Sequence, residues 1–432
     1  MLKQPYPWFA QYPEGVAHEI DPNKYNSIVE ILEESMERFK DYPAFENMGA
    51  KLTYGDIDKY SRQFASYLVN VAGLKKGDRI AIQMPNLLQY PIALFGALRA
   101  GLVVVNTNPL YTPREMQHQF KDSGAVAIVI VANFAHNLEE ILADTPIKTI
   151  ITTELGDMLG GFKRILVNFV VKYIKKMVPA YNLTVNATFL QALREGARHE
   201  FTPVKLTHED IAFLQYTGGT TGVSKGATLT HRNIVANILQ ADEWFLDTDP
   251  GKELVVTALP LYHIFALTVN CLLMFHIGAN NLLITNPRDI PGFIKELKKV
   301  KMTVFTAVNT LFVGLLNNPE FRKVDFSRLK YTIGGGMAVQ SFVADLWQEV
   351  TGKQLAEGYG LSETSPLVTC NPLDGTARKG TIGLPAPSTV VKVMDDDGKE
   401  VPVGERGEIC VEGPQVMKGY WQRPAETEKV FF

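Results

Sequence analysis

Strand and helix patterns alternate along most of the chain, and this alternation constrains the fold more than any other feature. An amphipathic helix is predicted over 27–40, where apolar residues recur at helical spacing. Strands separated by helical stretches are predicted at 79–84, 102–105, 125–131, 147–152, 211–215, 254–258, 281–284 and 303–306. Such alternation favours an α/β fold with parallel sheets flanked by helices.

The pattern changes after about residue 379, where short strands alternate with Gly, Pro and Asp. The runs 390–394 and 407–411, with the turn 395–398, predict hairpins in a small β-barrel-like subdomain. We therefore expect two helix-flanked β-sheet subdomains, at about 50–205 and 206–345, and a β-rich one at 346–432. No Pro/Gly/Ser-rich linker separates them, so we expect one packed body.

Charge and cysteine content exclude several classes of protein. Lys+Arg number 43 and Asp+Glu 46, a net charge of −3, so no basic field suggests nucleic acid as a partner. Cys271, Cys370 and Cys410 are too widely spaced for a disulfide framework or a zinc cluster. The apolar runs are too short to span a membrane, and we expect a cytoplasmic protein whose oligomeric state cannot be predicted.

A segment rich in Gly and hydroxyl residues follows the strand at 211–215. It consists of Tyr216, Thr217, Gly218, Gly219, Thr220, Thr221, Gly222, Val223, Ser224, Lys225 and Gly226. Glycines let backbone N–H groups turn toward an anion, and the hydroxyls and Lys225 add donors and charge. Lys225 is followed by Gly226, not Ser or Thr, so this is not a Walker A loop. The segment predicts a polyphosphate site, the alternative being an ordinary loop.

This segment resembles the phosphate-binding signature of the adenylate-forming superfamily. Other superfamily motifs have counterparts in order, at 52–54, 259–263, 334–336, 357–364, 407–413 and 419–421. The stretches 84–91, 104–115 and 168–175 are similar to those of bacterial long-chain fatty acyl-CoA ligases. The resemblance covers nearly the whole chain, and the chain is identified as a member of that family.

The resemblance implies a reaction and its substrates. ATP would activate a long-chain fatty acid to an acyl-adenylate with release of pyrophosphate, and coenzyme A would then displace AMP, for β-oxidation and uptake. Two alternatives stay open: a ligase for another carboxylic acid, such as an aryl acid, and a non-catalytic acyl- or nucleotide-binding module of the same fold.

The resemblance also implies which residues act. Lys225, His263 and Glu363 would be catalytic, and Thr217 and Glu363 would hold Mg²⁺, for which a hard carboxylate oxygen is suited. Besides the residues from Tyr216 to Gly226, the nucleotide would contact Gly334, Gly335, Gly336, Glu357, Gly358, Tyr359, Gly360 and Thr364, with Tyr359 on adenine and Thr364 on the α-phosphate. A lone His in an apolar stretch is more often a core residue, and a Glu in a loop is often simply exposed.

Full-length relatives continue into a small C-terminal domain with a catalytic lysine, which this sequence does not contain. We therefore expect the large N-terminal domain alone, able to bind nucleotide and acyl substrate but impaired in thioester formation. Some long-chain relatives place a Trp gate four residues after the pocket His. Leu267 stands there in this chain, so that gate is not carried over.

The segment 162–178 is basic and amphipathic, with five Lys or Arg residues and no acidic residue. At 100° per residue most basic side chains fall in one sector and most apolar ones opposite. Such a helix can lie in an anionic membrane interface, which would place the protein peripherally on the inner membrane. The alternative is a surface helix whose apolar face packs on the sheet.

Overall fold

The computed structural model describes residues 6–217 and 223–431. Its strands are β1 (Pro43–Asn47), β2 (Ala50–Thr53), β3 (Arg79–Gln83), β4 (Val103–Asn106), β5 (Ala127–Val131), β6 (Thr149–Thr153), β7 (Ala187–Thr188), β8 (Ile211–Thr217), β9 (Lys225–Thr230), β10 (Leu254–Thr257), β11 (Asn280–Leu283), β12 (Val304–Ala307), β13 (Tyr331–Gly334), β14 (Ala356–Gly360), β15 (Leu367–Cys370), β16 (Leu384–Pro385), β17 (Val390–Met394) and β18 (Glu408–Glu412).

The α-helices are α1 (Ile28–Arg38), α2 (Tyr54–Ser66), α3 (Gln89–Arg99), α4 (Pro113–Ser123), α5 (Ala135–Ile141), α6 (Gly161–Phe169), α7 (Phe189–Gly196), α8 (His231–Asp242), α9 (Met274–Ile277), α10 (Ile290–Leu297), α11 (Asn309–Leu316), α12 (Ser341–Thr351) and α13 (Pro424–Glu428). The π-helical turns are Tyr67–Val71, Val170–Ile174 and Ala266–Leu273, and the 3₁₀ turns are Pro7–Gln11, Ala132–Phe134, Leu142–Asp144, Asp157–Leu159, Pro319–Lys323 and Ser362–Thr364.

Within residues 6–217 and 223–431, seven strands form the first sheet, in the order β7-β6-β5-β3-β4-β8-β9. All pairs are parallel except β8–β9. The predicted helix at 27–40 is α1, and the Ser27 side chain caps it by accepting from the Glu30 N–H. The predicted position of this helix is confirmed. Helix α8 begins at His231, and Thr230 and Asn233 form a capping box at its start.

In the described part of the chain the second sheet has nine strands, in the order β16-β15-β14-β13-β12-β10-β11-β1-β2. Its central strands are parallel, and antiparallel pairs close both edges. The two sheets confirm the α/β prediction with two helix-flanked sheets. The strand at 390–394 pairs antiparallel with β18, as the hairpin pattern predicted.

Two details of the predicted organisation differ from the structure. Within the described residues, β17 and β18 form a separate two-stranded sheet while β14–β16 extend the nine-stranded sheet, so 346–432 does not close into a barrel. The sheets also cross the expected subdomain boundaries. The boundary at 205/206 is crossed because β8 and β9 belong to the first sheet and β1 and β2 to the second. The boundary at 345/346 is crossed because β14–β16 belong to the same sheet as β13. Strand patterns show where a strand lies in sequence, whereas pairing depends on contacts between distant segments.

Polar side chains join the two sheets near the carboxyl ends of their strands. The Asn86 amide donates to the carbonyl oxygens of Thr257 and Leu259, both at 2.9 Å. The Tyr90 hydroxyl donates to the Leu261 carbonyl at 2.8 Å, and it is fully buried. These bonds hold the segment after β10 against the first sheet. In open α/β sheets, ligands bind at the carboxyl ends of strands.

Candidate active site

A cavity of about 670 Å³ opens where the carboxyl ends of strands from both sheets meet. Its volume lies within the roughly 300–1,000 Å³ range of small-molecule sites. Ten of the predicted site residues line it, which are Tyr216, Thr217, Lys225, His263, Gly335, Gly336, Gly358, Tyr359, Gly360 and Glu363. Folding therefore brings together groups from segments more than a hundred residues apart.

Tyr420 connects the two charged groups of the cavity. Its hydroxyl donates to Glu363 Oε1 at 2.7 Å, and Lys225 Nζ lies 4.5 Å from its ring centroid. Burial, together with the Glu363 carboxylate, raises the pKa of Tyr420, so the phenol is protonated and donates. Lys225 also pairs with Glu426 of α13, at 3.0 Å between Nζ and Oε2. The Tyr420 side chain thus contacts both the Glu363 carboxylate and the Lys225 ammonium group and orients them.

Tyr420 is itself held rigidly by the backbone beside β9. The Thr228 N–H donates to the Gly419 carbonyl and the Trp421 N–H to the Gly226 carbonyl, at 2.9 and 2.8 Å. Residues 418–421 therefore run antiparallel to β9, which they contact through an isolated bridge between Ala227 and Tyr420. This pairing makes the Tyr420–Lys225 contact a consequence of the sheet.

The strand end after β13 lies against an aromatic side chain. A Cβ at Gly335 would come 2.9 Å from Phe265 Cε1, so any side chain there would displace that ring. Gly336 has φ +75°, a conformation that glycine adopts without strain. A Cβ at Gly334 would instead meet Val339 at 2.6 Å, on the core side. Two of these three predicted glycines therefore line the cavity, and the third is required by packing.

Glu357 and Thr364 do not line the cavity. Glu357 Oε2 accepts from the Val339 N–H at 3.0 Å, which fixes the loop after the three glycines. Thr364 is buried, and its hydroxyl donates to the Pro366 carbonyl at 2.5 Å and accepts from the Leu361 N–H at 3.0 Å. Both side chains are engaged by backbone groups of the protein, and their contacts with the nucleotide stay predictions. Sequence motifs do not distinguish ligand contacts from such supporting roles.

His263 projects into the cavity from the loop after β10. The cavity walls around the imidazole partly desolvate it and so lower its pKa, which leaves the ring neutral near pH 7. Its Nδ1 accepts from the Phe265 N–H at 3.4 Å, which leaves Nε2–H as the donor. The predicted alternative of a satisfied core His does not hold, because the side chain is exposed to the cavity.

The Gly- and Thr-rich segment joins β8 to β9, two antiparallel strands in which Thr217 pairs with Lys225. Gly218, Gly219, Thr220, Thr221 and Gly222 lie outside the described residues. Ser224 does not line the cavity, and its hydroxyl donates to the Thr217 carbonyl at 2.6 Å. Gly226 packs under the Tyr216 ring, since a Cβ at Gly226 would lie 3.1 Å from Tyr216 Cε2. The predicted phosphate-binding segment therefore connects two antiparallel strands.

The opposite side of the cavity is apolar and was not predicted from sequence. Its lining includes Ala241, Trp244, Phe245, Val269, Ile333, Leu367, Cys370 and Leu373. The cavity is also lined by a polar network, in which Asn106 Nδ2 donates to Gln215 Oε1 at 3.1 Å and Gln215 Nε2 donates to the Tyr262 carbonyl at 2.9 Å. Helical periodicity marks the apolar residues as core and cannot separate core from cavity wall. Tyr420, in contrast, lies in the motif at 419–421, and that motif is a sequence signal for a residue of the site.

The residues present fit a magnesium ion. Thr217 and Glu363 both line the cavity and offer a hydroxyl and a carboxylate. Among the described residues no group of three His, Cys, Asp or Glu side chains could enclose a metal. Mg²⁺ commonly uses one or two protein ligands and takes the rest from water and phosphate. The donor set therefore suits Mg²⁺ better than a metal that needs a complete protein cage.

Similarity to known proteins agrees with this geometry. The family described as AMP-binding enzyme matches residues 32–421. Long-chain-fatty-acid–CoA ligases from Escherichia coli O6:H1 and Haemophilus influenzae are 57% and 53% identical, each over 98% of this chain and 76% of their own. The ligase of that name from Bacillus subtilis is 37% identical over 98% of this chain and 75% of its own.

Solved structures share the fold. A long-chain-fatty-acid–CoA ligase from Archaeoglobus fulgidus superposes with a TM-score of 0.81 at 24% identity, over 98% of this chain and 81% of its own. An anthranilate CoA ligase bound to anthranoyl-AMP superposes with a TM-score of 0.82 at 20% identity, over 95% of this chain and 74% of its own. The chain belongs to the AMP-binding enzyme family, in the group that contains the bacterial long-chain-fatty-acid–CoA ligases.

Proposed function

We propose that this protein activates long-chain fatty acids with ATP to acyl-adenylates and transfers the acyl group to coenzyme A, releasing pyrophosphate and AMP. The proposal rests on one observation above all. The cavity joins a charged side, with Lys225 and Glu363, to an apolar wall that suits a hydrocarbon chain. The identity to long-chain ligases supports the same substrate class.

The chemistry follows from the charges. A fatty acid is a carboxylate at pH 7 and must approach a triphosphate, and two unit charges 4 Å apart repel by about 4 kcal/mol at an effective dielectric of 20. Lys225 would neutralise phosphate charge, and Glu363 with Thr217 would hold Mg²⁺, which supplies further neutralisation when bound. Neutral His263 would donate a hydrogen bond to the carboxylate without acting as a base. Tyr359, which lines the cavity, would stack on the adenine ring.

A comparison of two acids tests this proposal. Pyrophosphate release and acyl-adenylate formation are measured with palmitate and with benzoate, with and without Mg²⁺. The proposal requires palmitate to be the better substrate and Mg²⁺ to be necessary. Preference for benzoate would assign the protein to aryl acids, and nucleotide binding without turnover of either acid would favour a binding module.

We also propose that segment 162–178 binds an anionic membrane surface. None of the residues of α6 or of the following π-turn is buried. Exposed apolar side chains are Phe162, Ile165, Leu166, Phe169, Tyr173, Ile174 and Met177. Asn168 Oδ1 accepts from the Gly156 N–H at 2.7 Å and holds the helix to the loop before it. Val167 packs against the main core, but these seven side chains stay exposed, which favours the membrane proposal over the alternative of an apolar face packed on the sheet.

Lipid composition tests this second proposal. No described helix is long and apolar enough to cross a bilayer, so binding would be at the surface. Sedimentation with phosphatidylglycerol vesicles should exceed that with phosphatidylcholine vesicles and weaken at high salt, because exposed charges are screened. Equal binding to both, or self-association of the protein without lipid, would contradict an anionic membrane as the partner.

A further inference from the structure

A second cavity, of about 320 Å³, adjoins the apolar side of the main cavity. Trp244 and Leu373 line both cavities. Along β13, Ile333 borders the main cavity whereas Tyr331 and Thr332 border the second one. The two cavities therefore lie end to end along the strand, with a partition between them.

The partition consists of tightly packed aromatic side chains. Trp244 is only 4% exposed and stacks edge to face with Tyr12, at 5.1 Å between centroids. Phe245, on the main-cavity side, meets Tyr331, on the other side, edge to face at 5.1 Å. The Tyr12 hydroxyl donates to the Pro385 carbonyl at 2.5 Å, which fixes the ring behind Trp244. The wall is thus braced from outside the cavity.

The volumes of the two cavities show why the position of this wall matters for the length of a bound chain. The main cavity, about 670 Å³, lies within the range that holds one drug-sized ligand, yet it would have to hold both a nucleotide and an acyl chain. The second cavity would add roughly half as much room again. A chain running away from the charged side along β13 would meet Trp244 before reaching that space.

Resting on the proposed function, we infer that Trp244 and Leu373 form the end wall of the acyl site and set the longest chain it accepts. The second cavity then lies beyond this wall, and its lining combines apolar groups such as Leu246 and Tyr331 with the charged side chains of Asp247, Lys330, Lys353 and Asp374, so the wall separates an apolar site from a partly charged space. Removing the wall should shift the chain-length limit without altering the recognition of the adenylate head.

The test is a chain-length series of non-hydrolysable acyl-adenylate analogues, from octanoyl to octadecanoyl, titrated by calorimetry. With wild type, affinity should rise about fourfold for each methylene that leaves water and then stop rising at a defined length. Trp244→Ala should move that break to longer chains, and Leu373→Ala should move it in the same direction. Val269→Ala removes apolar volume from the main-cavity wall alone and should leave the break in place.

Each outcome decides the inference. An unchanged break in both wall variants, or no break in wild type, would overturn it. If circular dichroism shows that Trp244→Ala does not fold, Leu373→Ala alone decides. Failure of every analogue to bind more tightly than AMP would contradict the proposed function itself, which separates that failure from failure of the wall.

Discussion

The cavity wall and segment 162–178 combine the same ingredients, aromatic and aliphatic side chains beside charged ones, but the structure uses them in opposite ways. Trp244 is 4% exposed and braced by a second ring, whereas Phe162 is 76% exposed and belongs to a helix with no buried residue. In the cavity, Glu363 is paired with Tyr420 and Lys225 with Glu426. The exterior segment has apolar side chains that no protein group covers.

This difference separates two kinds of function. Preorganised interior groups act on a ligand of defined shape, because their geometry is fixed before binding. An uncovered apolar face with basic neighbours suits a surface without defined shape, such as a bilayer interface. Substitutions in the cavity should therefore change catalysis and leave membrane affinity unchanged. Substitutions in segment 162–178 should change membrane affinity and leave catalysis unchanged.

The largest effect is expected for Glu363→Gln. Loss of the carboxylate removes the proposed metal ligand, and adenylate formation should fall by about 10²–10³, the range for loss of one preorganised electrostatic group. ATP–pyrophosphate exchange with palmitate measures it, and vesicle binding should stay unchanged. Glu408→Gln, on exposed β18, is the matched control. Near-normal exchange in Glu363→Gln would remove Glu363 from the metal site.

Charge reversal outside should produce the next largest effect. Each basic residue near an anionic surface contributes about 1 kcal/mol, so changing Lys172, Lys175 and Lys176 together to Glu should weaken vesicle binding by about 10² or more. Sedimentation with phosphatidylglycerol vesicles measures it. Lys298, Lys299 and Lys301, changed likewise, control for total charge. If the first triple variant still sediments as wild type does while remaining folded, segment 162–178 is not the membrane contact.

Sequence patterns predicted the fold well because they report local structure directly. The limits of α1, β3 and β17 were predicted to within a few residues, since periodicity and caps act within one element. The hairpin predicted after residue 379 is present as the two-stranded sheet of β17 and β18 and is not part of a closed barrel, and the sheets cross the expected subdomain limits, because strand pairing is non-local. β9, for example, joins the first sheet although it follows the limit expected at 205.

The site was predicted in part for a related reason. Motifs located the strand ends, so Lys225, Glu363 and Gly335 were predicted and do line the cavity. The direction of a side chain depends on its partners, and Thr364 turns toward the Pro366 carbonyl of its own loop. The apolar wall with Trp244 could not be distinguished from ordinary core, because burial in a cavity wall and burial in a core produce the same hydrophobic pattern.

A moderate effect is expected at Tyr420, which links the interior charges. Tyr420→Phe keeps the ring under Lys225 but removes the hydrogen bond to Glu363, so the Mg²⁺ concentration required for activity should rise about tenfold or more, as for other groups that support a metal ligand. Nucleotide affinity without metal should change little. Tyr420→Leu should raise the required Mg²⁺ concentration and also weaken nucleotide binding without metal, because the ring beside Lys225 is lost as well. Identical Mg²⁺ dependence in Tyr420→Phe and wild type would show that the hydroxyl does not position Glu363.

The smallest effect is expected at Glu426, where the interior and exterior meet. Hydrogen bonds from Lys429 and Lys225 lower the pKa of Glu426 to about 2, so it is a carboxylate throughout the neutral range. It then competes with phosphate for Lys225, and Glu426→Gln should tighten ATP binding about two- to fivefold, as expected for loss of one exposed ion pair. Glu428→Gln, on the same helix, is the control. Calorimetric titration at two salt concentrations measures the change, which should shrink as salt rises. Weaker ATP binding in Glu426→Gln would mean instead that the carboxylate helps to orient Lys225 for the nucleotide.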